Sequence, residues 1–172
     1  AVSLLQSSGI STKKVPWEKN PSGLRKMGLA LCEKEIYKKH GWLLNSNSDS
    51  VSPELTNLMK FGKELSSEEL NTIKDKLKES VSNMKKYWSS VDVIMTPVTP
   101  CPTHSFDVSA PNHFADFTAP ANIMKRPAVV IPFSETEEGL PLGLHVIGHE
   151  GEDPQLLSMI STLVDALKPD HA

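Results

Sequence analysis

The residue types best suited to nucleophilic or metal chemistry crowd into one proline-rich stretch, Cys101-Pro-Thr-His104-Ser-Phe-Asp107. A thiol, an imidazole and a carboxylate could make a cysteine nucleophile with its base, or three ligands of a zinc site. The spacing argues against both. Three-residue steps along a Pro-rich loop do not bring three side chains to one point, and a structural zinc site needs a fourth ligand. The set therefore reads as loop filling, and no metal is expected. His113 and Asp116 follow nearby without a better pattern. Ser7-Ser8-Gly9 offers hydroxyls, but these residues suit a helix cap and turn. No G-x-S-x-G stretch occurs, so the strained turn that exposes a serine nucleophile is missing. No residue of the chain is assigned a catalytic role.

The composition sets the frame for these residues. A chain of 172 residues is long enough for one domain with a sizeable core. Its 18 basic and 21 acidic residues leave a net charge of −3, which gives no electrostatic case for nucleic acid or an anionic membrane. No apolar run approaches the ~20 residues of a membrane-spanning helix. Cys32 and Cys101 stand far apart, as expected of reduced thiols in a cytoplasmic protein. The chain opens on Ala1 without a signal-like segment, and the missing Met leads us to expect a fragment.

The elements that must position any site follow from periodicity and caps. Val2, Leu4 and Leu5 before Gly9 read as the end of a helix, and Ile10 to Val15 as a short strand stopped by Pro16. Pro21-Ser22 opens a helix to about His40, weakened early by Gly23 and Gly28. Residues 45–52 read as a flexible polar loop. Ser52-Pro53 caps a helix to about Phe61. Ser66 and Glu69 form a capping box for the clearest helix, whose Leu70, Ile73, Leu77, Val81, Met84 and Trp88 make one apolar stripe. Its lysines alternate with acids and read as a solvated outer face. Three Val/Ile-rich runs bounded by Pro and Gly then read as strands buried on both faces.

Those last runs carry a resemblance. The chain reads Asp92-Val-Ile-Met-Thr-Pro97, then Pro120-Ala-Asn122-Ile-Met-Lys-Arg-Pro127-Ala-Val-Val-Ile-Pro132, then Gly139-Leu-Pro141-Leu-Gly143-Leu-His145-Val-Ile-Gly148. In order and spacing this resembles the C-terminal half of the amidase signature family. The resemblance implies an α/β fold: part of a mixed-sheet α/β/α domain, with residues 1–172 as its C-terminal part. It implies hydrolysis of a carboxylic amide by a Ser nucleophile, a bridging Ser in a cis peptide and a Lys, with no cofactor. This chain has no Gly-Gly-Ser-Ser run, so those groups are expected upstream, in the missing half of the domain or in another chain. Two alternatives follow: a non-catalytic binding homologue, or the A-type subunit of a tRNA-dependent amidotransferase.

The expected contribution here is a substrate-pocket wall. Thr96 and Pro97 stand at a strand exit, where α/β sheets meet ligands. Phe114 to Met124 reads as one helix, with Ala115, Ala119 and Asn122 or Ile123 on a common face and room beside the two alanines. Thr118 is the polar residue best able to orient a small-molecule amide. Asn122 matches the family's Asn, and reads equally as an amide that fixes a turn. Two positions depart from the family pattern. Lys125 stands where Gly is usual, at a position that suits a small or φ > 0 residue. His145 stands where Gln is common, and a ring nitrogen can replace the amide in a buried hydrogen bond.

Overall fold

The structure, a computed structural model, describes residues 1–15, 20–45 and 51–168. Pro16 and most of the polar loop expected at 45–52 lie outside the described residues.

Helix α1 (Val2–Ser7) ends as its residues dictate. Gly9 takes φ 78°, and the Ile10 N–H donates to the Leu5 carbonyl at 2.9 Å. The strand expected at Ile10–Val15 is not there. Those residues run as irregular chain, with the Gln6 amide donating to Thr12 Oγ1 at 2.8 Å. A β-branched run becomes a strand only when it pairs with a neighbour, and among the described residues this segment pairs with neither sheet edge. Its apolar residues are used otherwise: Ile10 packs under one core cluster and Val15 under the other.

Three helices follow. Helix α2 (Pro21–His40) starts with Asn20 accepting from the Gly23 N–H at 2.8 Å, and a 3-10 turn (Gly41–Asn45) continues it. In helix α3 (Pro53–Glu64), Ser52 Oγ accepts from the Leu55 N–H at 3.2 Å. The ammonium of Lys34 reaches from α2 to the Gly62 and Leu65 carbonyls at 3.0 and 2.6 Å, where the α3 dipole favours a cation. Helix α4 (Ser67–Trp88) carries the expected capping box, with the Glu69 N–H on Ser66 Oγ at 3.2 Å and the Ser66 N–H on the Glu69 carboxylate at 2.9 Å. Its stripe buries Leu77, Met84 and Trp88.

The sheet is built from β1 (Ile94–Pro97), then β2 (Ala128–Glu135) and β3 (Pro141–Ile147), with helix α5 (Ala119–Ile123) between the first two. Strand order is β1-β3-β2, and both pairings are antiparallel. Helix α6 (Asp153–Leu167) closes the described chain. Alternation splits the sheet residues between two cores. Ile94 and Ile147 join Leu24, Leu77, Met84 and Met124 under α2, α4 and α5. Ile131 and Val146 join Leu5, Leu156 and Leu163 under α1 and α6. The result is helix, sheet, helix. The expectation of strands buried on both faces fails for β2, where Ala128, Val130 and Pro132 are exposed. An edge strand has one side without a neighbour, and the helices reach only part of that face.

Gly62 decides how closely α2 and α3 approach. A Cβ there would stand 2.1 Å from the Glu33 carbonyl oxygen, which is backbone and cannot turn aside. Alanine favours an isolated helix by about 1 kcal/mol over glycine, whereas overpacking costs about 1–3 kcal/mol and separating two backbones lies at the upper end. Gly62→Ala should therefore lower stability by about 1–2 kcal/mol in urea denaturation. Unchanged or raised stability would show that the helices part freely.

Candidate functional site

Among the described residues, an open groove of about 680 Å³ lies between α2, α4 and α5. Its floor is apolar, with Leu31 and Gly28 from α2, Leu77 and Val81 from α4, and Ile123 from α5. Gly28 permits this seating, because a Cβ there would meet Ile123 Cδ1 at 2.9 Å. Ala119 and Asn122 contribute from α5. Around them stand four cations, Arg25, Lys74, Lys78 and Lys125, with no carboxylate in the lining.

One buried ion pair fixes the wall formed by α5. Arg25 Nε donates to Asp116 Oδ1 at 2.7 Å, and the Ser22 hydroxyl donates to Asp116 Oδ2. Burial pushes the Asp116 carboxyl up, but the hydrogen bonds from Ser22 and Arg25 and the Arg25 charge outweigh it. The group is held below its ordinary value. The first turn of α2 is thus clamped to the segment leading into α5. Sequence reasoning does not find this pair, whose members lie 91 positions apart with nothing local to couple them.

The helix expected over Phe114–Met124 is shorter, because only Ala119–Ile123 is helical and residues 112–118 form turns. Pro120 explains the break: it has no N–H to donate four residues back, so it sits in the first turn of a new helix instead of continuing an earlier one. Ala115 is consequently exposed and outside the groove. The Thr118 hydroxyl donates to the Ala115 carbonyl at 3.4 Å, so it is engaged with its own turn. Asn122 does not fix a turn through its side chain. Its amide is exposed and makes no hydrogen bond among the described residues, while its carbonyl accepts from the Lys125 N–H at 3.1 Å. Lys125 adopts φ 55°, the left-handed backbone that the sequence reading attaches to this position.

Thr96 and Pro97 are not part of the groove. Pro97 is exposed at the end of β1. Thr96 lies opposite His145 in the β1–β3 register. Thr96 Oγ1 and His145 Nδ1 are both buried without a hydrogen-bond partner among the described residues. Burial pushes the His145 pKa down, and a backbone hydrogen bond with Phe117 opposes this only in part. The loop cluster of thiol, imidazole and carboxylate stays apart: the Cys101 carbonyl accepts from Thr99 Oγ1 at 2.6 Å, His104 packs edge-on against Phe114, and Asp107 turns to Ser105. Among the described residues no group of His, Cys, Asp and Glu could hold a metal.

Known proteins share this fold. The amidase family model matches residues 2–157. The chain belongs to the amidase family. It is 35% identical over 77 residues to the glutamyl-tRNA(Gln) amidotransferase A subunit of Synechococcus sp. (strain CC9311), covering 42% of this chain and 16% of that protein. The counterpart from Borreliella burgdorferi is 30% identical over 92 residues, or 51% of this chain and 19% of its own length. Among solved structures, an amidase superposes with a TM-score of 0.85 at 21% identity, over 95% of this chain and 39% of that one. A 6-aminohexanoate cyclic dimer hydrolase bound to its substrate gives 0.77 at 16% identity, over 97% and 40%. At such identities the superpositions establish the amidase fold alone. The chain thus spans less than half of each of these relatives.

The lowered pKa of His145 makes a signed prediction for this amidase-family chain. Its folded pKa lies below the unfolded value of 6.5, so below pH 6.5 the unfolded state takes up a proton that the folded state refuses. Stability contributed by His145 is present above that pH and is lost as pH falls towards the folded pKa, with a slope of at most about 1.4 kcal/mol per pH unit. His145→Gln should flatten this part of the profile. Glu33, raised by burial, acts with the opposite sign, losing its contribution as pH rises through its folded pKa. Urea midpoints from about pH 7.5 to 5.5 for both proteins check this; parallel profiles would mean His145 titrates as it does when unfolded.

Proposed function

We propose that this chain is the substrate-binding part of one amidase domain, and that the groove between α2, α4 and α5 takes the acyl or amine part of a carboxylic amide. The observation that carries the reading is that Asn122, from a motif of the family resemblance, and Ala119, on the same short helix, stand in an apolar groove with the Asn122 amide uncommitted. Ala119 leaves space for a hydrocarbon chain, and Asn122 can donate to or accept from a substrate carbonyl or amide. The Ser nucleophile, bridging Ser and Lys of the family mechanism come from the rest of the domain. Lys takes the nucleophile's proton through the bridging hydroxyl, the nucleophile attacks the amide carbon, the C–N bond breaks as that proton is returned to the departing amine, and water then hydrolyses the acyl-enzyme to release the acid. No cofactor enters this chemistry. The free thiols of Cys32 and Cys101 favour the cytoplasm as its setting.

A second reading is the A-type subunit of an amidotransferase, favoured by the two bacterial relatives cited above. Glutaminase activity that needs partner subunits, with little turnover of simple amides, would select it.

The test replaces Ala119 by Leu in the assembled enzyme. A narrowed groove should lower kcat/KM for long-chain amides by ~1–3 kcal/mol per excluded group and spare short ones. The bland alternative is core overpacking, which costs about 1–3 kcal/mol of stability and touches every substrate alike. Equal losses for short and long amides with a lowered melting temperature would remove Ala119 from the pocket. The 172-residue chain by itself should hydrolyse neither.

A further inference from the structure

The four cations around the groove are not equivalent. Arg25 is neutralised by Asp116, and Lys78 is paired with Asp75 at 3.0 Å. Lys74 and Lys125 have no ion-pair partner among the described residues. The acid whose field reaches Lys74 is Glu35, which is itself paired with Lys38 at 2.7 Å. The groove therefore combines a hydrocarbon floor with two unneutralised ammonium groups at its rim.

Lys125 adds an independent observation. Left-handed backbone is unfavourable for a residue with a Cβ, and glycine would adopt it freely. Lysine here keeps the strained turn and places a charge beside Asn122, at the end of the apolar floor formed by Ile123. A strained, charged residue at a ligand groove invites a functional account. A bare anion would find no use for the apolar floor, and a neutral hydrocarbon would find none for the cations.

We infer that the groove takes an amphiphilic carboxylate: an amide whose apolar spacer ends in an acid group seated on Lys74 and Lys125. This rests on the reading of the groove as substrate wall and adds the class of substrate.

The experiment measures binding of octanoate and of octanamide, its neutral counterpart, to the assembled enzyme with its nucleophilic Ser replaced by Ala, by titration calorimetry, with amide shifts of Ala119 and Lys125 as the local readout. Octanoate should bind about fivefold more tightly than octanamide, the scale of an exposed ion pair. Lys74→Gln with Lys125→Gly should abolish that preference, bringing the ratio of octanoate to octanamide affinity to about one. The melting temperature should not fall, because both lysines are exposed and glycine relieves the left-handed turn. Equal affinities with both lysines in place, a preference that survives the double substitution, or no binding of either ligand would each overturn the inference. Turnover separates it from the amidase reading. An assembled enzyme that cleaves octanamide with no preference for the same amide bearing a terminal carboxylate sinks the carboxylate site alone. An enzyme that cleaves neither, while the protein keeps its octanoate preference, sinks the amidase reading and supports the anion site.

Discussion

Everything around the groove depends on the ion pair between Arg25 and Asp116. Its side chains are 14% and 7% exposed, so both charges have given up most of their water. Such a pair contributes little net stability by itself, and its loss is costly because one charge would remain buried alone. Its value here is geometric. A guanidinium and a carboxylate, with the Ser22 hydroxyl on the second oxygen, permit one arrangement of α2 against the turns before α5. A greasy contact at the same place would permit sliding. The short helix α5, with five residues, could not hold its own position by helical cooperativity.

A second clamp works at the other end of the same layer. The guanidinium of Arg126 lies 3.7 Å over the Trp88 ring and also donates to the Gly148 carbonyl at 3.2 Å. His149 meets Trp88 edge-on and bonds the Val91 carbonyl at 2.9 Å. Together these contacts join the end of α4, the entry to β2 and the exit from β3. The two clamps bracket α5 and Lys125, so a left-handed turn can persist there against its local cost.

Much of this is legible in the sequence wherever local chemistry decides the outcome. The caps at Ser52 and Ser66, the Gly9 turn, the stripe on α4 and the left-handed position at Lys125 all depend on a few neighbouring residues. Reading fails where distant partners decide. Ile10–Val15 has strand composition, but its two ends are drawn to different cores and it pairs with neither edge of the sheet. Pro120 is a local signal against a long helix, and it outweighs the apolar spacing that suggests one. Helix α6 has a signal that a motif-centred reading leaves unused, since Leu156, Ile160, Leu163 and Leu167 repeat at helical steps after Asp153-Pro154. In the candidate site, Ala119 and Asn122 follow from motif and helix face. Arg25, Lys74 and Leu77 reach the same groove from helices whose assembly no local pattern announces.

The strand order β1-β3-β2 divides the sheet into an easy half and a hard half in chain entropy. Strands β2 and β3 are joined by a short hairpin, in which the Thr136 N–H donates to the Leu140 carbonyl at 2.8 Å and Gly139 takes φ 78°. Closing that loop restricts few residues. Strand β1 must find β3 across the whole stretch between Ile94 and Ile147, with α5 and its turns in between. Loop-closure entropy rises with the length enclosed, so this pairing is the costlier contact of the two. It is also the contact that delivers α4, directly before β1, to its place beside α2. The wall of the groove is thus coupled to the more non-local of the sheet's two pairings, and weakening β1 would loosen the groove long before it loosened the hairpin.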